Sequence, residues 1–113
     1  MCVFCKIVNK EIPAKVVYED DLIMAFHDIN PQRKVHVLVI PKKHIPSVND
    51  ITPEDKKILG HLWVKIPEIV KILGIDRDGY RIIVNTGKDG GQEIYHIHYH
   101  ILGGQPVGPM VCK

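Results

Sequence analysis

Three histidines alternate with apolar residues in His96-Ile97-His98-Tyr99-His100-Ile101-Leu102. Alternation is the pattern of a β-strand, whose successive side chains point to opposite faces. On such a strand His96, His98 and His100 share one face at about 6.5–7 Å spacing, and Tyr95, Ile97, Tyr99 and Ile101 are free to be buried. A row of imidazoles is costly to bury without partners, so chemistry is the first reading and a His-rich wet face the bland one. Two chemistries suit it. His-x-His on a strand can bind a metal, or one ring can act as a nucleophile with its neighbours as helpers.

The surroundings favour a phosphate site. Gly87, Gly90 and Gly91 lie just upstream and Gly103-Gly104 just downstream. Glycine backbone can approach an oxyanion closely and aim N–H groups at it. A histidine nucleophile must be neutral near pH 7, which its ordinary pKa of roughly 6.5 permits. One ring nitrogen should donate to an acceptor such as a carbonyl of the same strand, which directs the other lone pair. A second, charged imidazole would hold phosphoryl oxygens. His98 has a neighbour on each side and is the natural nucleophile, with His100 as phosphate ligand.

The elements that must position these residues form an α+β pattern. Residues 1–9 form a short helix or turn with Phe4, Ile7 and Val8 on its apolar side. Strands are expected at Val16–Glu19, Leu22–Asp28, Val35–Ile40, Tyr80–Asn85 and the histidine stretch. Asp20-Asp21 and Asn30-Pro31-Gln32 are turns, and residues 86–91 a glycine loop. The third strand is nearly all apolar and therefore central. A long helix starts at Thr52, with Pro53 at its first position and Glu54 and Asp55 at the positive end of the dipole. Ile58, Leu59, Leu62, Ile66, Ile69, Val70 and Leu73 form one apolar stripe that closes at Gly74, and Pro67 is expected to kink or split it. The sum is a five-stranded antiparallel sheet, one long helix and a short N-terminal helix, in a single domain spanning residues 1–113.

Composition sets limits. Net charge is +2, too small to make nucleic acid or a membrane surface the main partner. No apolar run approaches the ~20 residues of a membrane span. Residues 1–6 lack a signal-peptide pattern, so a cytoplasmic protein is expected. Three cysteines are too few for a disulfide framework, and Cys2-x-x-Cys5 reads as a metal or redox pair. Cys112 reads as an unpaired thiol. Lys42 and Lys43 read as a solvated pair, and Trp63 as core or dimer interface.

The histidine stretch resembles the His-φ-His-φ-His-φ-φ motif of the histidine triad (HIT) family. Glu11-Ile12-Pro13-Ala14-Lys15, Ala25-Phe26-His27-Asp28-Ile29-Asn30-Pro31-Gln32, Leu38-Val39-Ile40-Pro41-Lys42-Lys43-His44-Ile45 and Asp89-Gly90-Gly91-Gln92 resemble its Hint branch, the histidine triad nucleotide-binding proteins. The resemblance implies a homodimer whose subunit sheets join into one. It implies hydrolysis of purine nucleoside phosphoramidates of AMP or GMP through a nucleotidyl-histidine on His98. It makes His100 a phosphate contact, His96 a structural member of the triad and His36 a fourth active-site histidine. Asp28 would bind ribose hydroxyls, the alternative being a turn cap. Val3, Phe4, Ile7, Phe26, His27, Ile29 and Leu38 match the base pocket, and Asn85, Gly91 and Gln92 the phosphate side.

Two features depart from the pattern. Glu93 stands where animal Hint proteins carry a serine, which puts the leaving-group acid in doubt. The C-terminus lacks their Trp-containing tail. Relatives with the Cys pair bind zinc with two further histidines, which here match His44 and His96; the alternative is a pair of free thiols. No cofactor is implied for the chemistry itself. Competing readings are a nucleotide-binding adaptor and a catalytic metal held by all three triad histidines. Serving both zinc and the triad from one strand face would require His96 to twist away from His98.

Overall fold

The computed structural model describes residues 2–111. Cys112, read above as an unpaired thiol, lies outside the described residues. Helix α1 spans Val3–Val8. Strands β1 (Val16–Glu19), β2 (Ile23–His27) and β3 (Val35–Pro41) follow. Helix α2 covers Lys56–Leu73, β4 Tyr80–Ile83, the single-turn helix α3 Gly87–Gly90, and β5 Tyr99–Gly103. The strands form one antiparallel sheet in the order β1-β2-β3-β5-β4. This is the expected α+β architecture.

Strand alternation builds two cores. Ile23, Ala25, Val37, Val39, Tyr99 and Ile101 point to one face and pack beneath Ile58, Leu62, Ile66, Ile69 and Val70 of α2. Met24, Phe26, Leu38 and Ile40 point to the other face and pack against Phe4 and Ile7 of α1. The central strands are apolar over most of their length because both faces are covered, with His36 on β3 and His100 on β5 among the exceptions. Leu59 and Leu73, at the margins of the α2 stripe, are only partly buried.

Several local details differ from expectation. Pro53–Asp55 is a 3-10 turn, and the α-helix proper begins at Lys56. Thr52 and Asp55 still form the capping box. Helix α2 runs through Pro67 as one element rather than splitting. The glycine segment winds into α3 instead of a loop, ending at Gly91 with φ 81°. Lys42 and Lys43 are paired, with Glu19 at 2.8 Å and Asp55 at 2.6 Å, so they are not a free solvated pair.

The β1–β2 turn is docked on α2 by a polar knot absent from the sequence reading. Asp20 accepts from Tyr18 Oη at 2.7 Å and lies 2.6 Å from His61 Nε2; its other oxygen accepts from the N–H groups of Leu22 and Ile23. Burial pushes this carboxyl up, but these hydrogen bonds outweigh it and hold it well below the usual carboxylate range. A depressed carboxylate pKa contributes stability above the unfolded value of about 3.9 and loses it as pH falls further. Asp20→Asn should therefore cost about 1–2 kcal/mol at neutral pH. Urea unfolding checks this, and the difference from the parent should shrink below pH ~4.

Candidate active site

The histidine segment does not run as one strand. Strand β5 starts at Tyr99, and residues 94–96 bend before it. The expected single face for His96, His98 and His100 is corrected accordingly. The cause is in the backbone. Ile97 N–H bonds to Ile45 O at 2.7 Å, outside the ladder, and the carbonyl of His96 accepts from His98 Nδ1 at 2.8 Å. The bend sends the rings of His98 and His100 to the cavity on the α1 side of the sheet and that of His96 to the cysteines. A catalytic metal held by all three triad histidines is incompatible with this division.

The cavity, about 1180 Å³, lies on the α1 side of the sheet. Its walls include Val3, Phe4 and Ile7 of α1 and Phe26, His27, Asp28 and Ile29 at the end of β2. His36, Leu38, Asn85, Gly91, Glu93, His98 and His100 complete the expected set. Ile94, Ala14, Lys15, Gln32 and Lys34 also line it, though the sequence pattern gives none of them a site role. Gln92 departs from its expected place at the phosphate. It is buried, and its amide is spent on backbone: Oε1 accepts from Gly87 N, and Nε2 donates to Pro46 O and Ile94 O. Gly87 and Gly90 are not part of the wall either; of that glycine group only Gly91 is.

The ring nitrogens are ordered by a chain of donors. Gln32 N–H donates to His36 Nδ1 at 3.0 Å, so a neutral His36 carries its proton on Nε2. That proton faces His100 Nδ1 at 2.9 Å, with Asp28 Oδ2 3.4 Å away. His100 is thereby left with a donor on Nε2. The register explains the meeting: Leu38 pairs with His100 and His36 with Leu102, which makes His36 and His100 diagonal neighbours. Asp28, His36 and His100 also have the composition of a metal triad. A metal on His36 Nε2 would force a proton onto Nδ1, directly against the Gln32 N–H, so the group is better satisfied as a hydrogen-bond relay. His98 is set differently. Its Nδ1–H donates to the His96 carbonyl, so the lone pair of the neutral ring sits on Nε2.

Burial, then the neighbouring His98 and His36, pushes the His100 pKa down to about 4. Burial likewise lowers that of His36, against the pull of Asp28. His100 is therefore neutral in the free protein near pH 7, not the charged imidazole expected above, and grips an anion as an N–H donor. The sign of the linkage follows. An unfolded chain protonates this histidine below about 6.5 and the folded chain does not until about 4, so stability falls across that window. Thermal melts should lose on the order of 1–2 kcal/mol between those limits, and His100→Asn should flatten part of the slope.

A second constellation lies behind the cavity. Cys2 Sγ is 3.5 Å from His44 Nδ1 and 3.4 Å from His96 Nδ1, and Cys5 Sγ is 3.3 and 3.6 Å from the same atoms. The two Nδ1 atoms are 3.2 Å apart. His96 Nε2 donates to Pro41 O at 2.8 Å, which leaves its Nδ1 lone pair for the cluster. These four side chains can hold a metal ion.

The C-terminal tail is tied down by two arginines that the sequence reading passed over. Arg33 donates to Val107 O from Nε and Nη2, and Arg81 to Pro109 O and Gly108 O. Gly104, at φ 79°, passes so near Val35 and Lys34 that a Cβ would lie 3.1–3.2 Å from their side chains.

A histidine pair lies over an open cavity on an α+β sheet, one ring aimed by a carbonyl and the other left as a donor. The chain belongs to the HIT domain family, whose model matches residues 9–107. It is similar to the purine nucleoside phosphoramidase of Escherichia coli (strain K12): 50% identical over 110 residues, 97% of this chain and 92% of that protein. A histidine triad protein from Clostridium difficile is 49% identical with a TM-score of 0.92, over 97% of this chain and 96% of that one. A HIT family hydrolase from Clostridium thermocellum gives 0.93 at 44% identity, over 98% and 96%. No helix among the described residues is long and apolar enough to cross a membrane.

Proposed function

We propose that this chain is a Hint-branch purine nucleoside phosphoramidate hydrolase. The observation that carries the reading is the His98 ring, held by the His96 carbonyl so that its Nε2 lone pair is the free one, in the cavity wall beside His100. Its likeness to the Escherichia coli phosphoramidase supports the substrate class. In the first step His98 Nε2 attacks the α-phosphorus. The P–N bond of the substrate breaks, the amine takes up a proton from solvent as it leaves, and a nucleotidyl-histidine remains. In the second step water attacks phosphorus and gives up a proton to solvent, the P–Nε2 bond breaks, His98 returns to its neutral form, and AMP or GMP is released. His100 Nε2–H holds a phosphoryl oxygen through both steps, and the His36 relay keeps that donor in place.

The apolar wall of Phe4, Ile7, Phe26, Ile29 and Leu38 takes the purine, with His27 at its exposed rim. Asp28 accepts from the ribose hydroxyls through Oδ2, since its Oδ1 already accepts from Asn30 N–H at 2.8 Å. It thus serves both as the turn cap and as the sugar ligand. Asn85, Gly91 and Glu93 face the phosphate and leaving-group side. Incubation with adenosine phosphoramidate should release AMP and ammonia in equal amounts; intact substrate after long incubation with well-folded protein would sink the reading.

The Cys2, Cys5, His44 and His96 set is read as a structural zinc site. Tetrahedral zinc with bonds of about 2.3 Å to sulfur and 2.0–2.1 Å to nitrogen places S and N about 3.5 Å apart and N and N about 3.3 Å. The separations above match these within a few tenths of an ångström. Bound there, zinc would supply cross-linking rather than Lewis acidity. We read the molecule as a homodimer whose sheet continues past edge strand β4, supported by exposed Trp63 and Tyr80. It would act in the cytoplasm as one HIT unit over residues 1–113.

A further inference from the structure

His96 belongs to two sites at once. Its ring offers Nδ1 to the metal-binding set and donates from Nε2 to Pro41 O. Its backbone carbonyl accepts the Nδ1–H of His98. Ring and carbonyl belong to one fully buried residue, so fixing the ring at both nitrogens fixes the carbonyl that aims the nucleophile. A second tie runs through α1. Phe4 lies between the two cysteines in sequence, is buried, and packs edge-on against His96 at 5.9 Å and His98 at 5.1 Å between centroids. Its ring also lines the cavity. The helix that carries it has six residues, too few to hold its own shape without tertiary ties.

We infer that the metal set is the positioning device of the nucleophile: His96 and Phe4 transmit metal occupancy to the orientation of the His98 ring. The inference rests on the zinc reading of the cluster and on His98 as the attacking group. It assigns the metal no step in the chemistry. His96 acts through its carbonyl and Phe4 through its ring, and both are positioning residues. Loss of the metal frees α1 and the bend at residues 94–96. The His98 ring can then rotate or exchange tautomers, and the base wall formed by Phe4 loosens with it.

The test reads the ring directly. Protein labelled with 15N-histidine is loaded with zinc, its stoichiometry is measured, and imidazole spectra are recorded above neutral pH before and after stripping with a chelator. The indole of Trp63, on α2 and packed against Tyr99 of β5, reports whether the rest of the fold survives. The expected result is a single Nδ1–H tautomer for His98 in the loaded protein and a mixture after stripping. AMP affinity should weaken about tenfold, the scale usual for groups that orient a functional side chain, with the Trp63 signal unchanged. Zinc-loaded Phe4→Leu should show part of the same tautomer mixing. Unchanged His98 spectra and AMP affinity on stripping would overturn the inference, as would collapse of the Trp63 signal, because the effect would then be global. Failure of zinc to bind is read separately from stoichiometry and removes the metal reading itself. Failure of His98 as nucleophile is read from turnover of His98→Ala.

Discussion

His98→Ala should lower kcat by at least about 10⁴-fold while AMP binds with nearly parent affinity. The size follows from the role. Removing a covalent nucleophile abolishes the two-step route and leaves only what binding and orientation contribute, a loss of this order or greater in enzymes that form covalent intermediates. Retained affinity follows from the division of labour. The base wall comes from α1, β2 and β3, the sugar ligand is Asp28, and the phosphate donor is His100. His98 contributes one ring to this set, and that ring already packs on Phe4. Steady-state turnover and calorimetric AMP binding on one preparation separate the two quantities. A kcat within tenfold of the parent would reject nucleophilic catalysis by His98. Lost binding together with lost turnover would mean that the ring holds substrate rather than attacks it.

The second large effect is on stability. Removing the metal, or replacing Cys5 by serine, should cost at least about 3 kcal/mol and lower Tm by roughly 10–20 °C. The four side chains tie α1 to the end of β3 and to the bend before β5, closing a loop between positions 2 and 96. Zinc binding energy in such a set becomes folding energy because the unfolded chain holds no preformed site. The covering of one sheet face depends on it, since Phe4 and Ile7 are the buried α1 residues that close the cluster of Met24, Phe26, Leu38 and Ile40. Scanning calorimetry of loaded, stripped and Cys5→Ser protein checks this. Equal melting of all three would mean that the cysteines are free thiols without a structural metal.

Much of this architecture was legible in residue order because it rests on period and punctuation. Strands β1 to β3 follow from short apolar runs bounded by turn residues and the stripe of α2 from helical spacing, with errors of a residue or two at the strand ends. The triad was legible too, but its geometry was not. Alternation from His96 to Leu102 reads as one strand, and nothing in that pattern shows the Ile45 carbonyl capturing Ile97 N–H. Gln92 was misplaced for a similar reason. A glutamine beside a glycine loop looks like a ligand until the carbonyls of Pro46 and Ile94 are seen to claim its amide. The Asp20–His61 pair and the arginine ties to the tail join residues 41, 74 and 27–28 positions apart, where local pattern carries no signal. The charge of His100 was misjudged because burial is a property of the folded chain.

The most direct measurement is rapid-quench mass spectrometry of the protein with a purine nucleoside phosphoramidate, joined to the stereochemistry at phosphorus with a chiral thio-substituted substrate. A nucleotidyl adduct on the His98 peptide that forms before free nucleotide, with net retention from two displacements, is the predicted result. Absence of any adduct under single-turnover conditions, with inversion at phosphorus, would contradict it and show that water attacks the substrate directly.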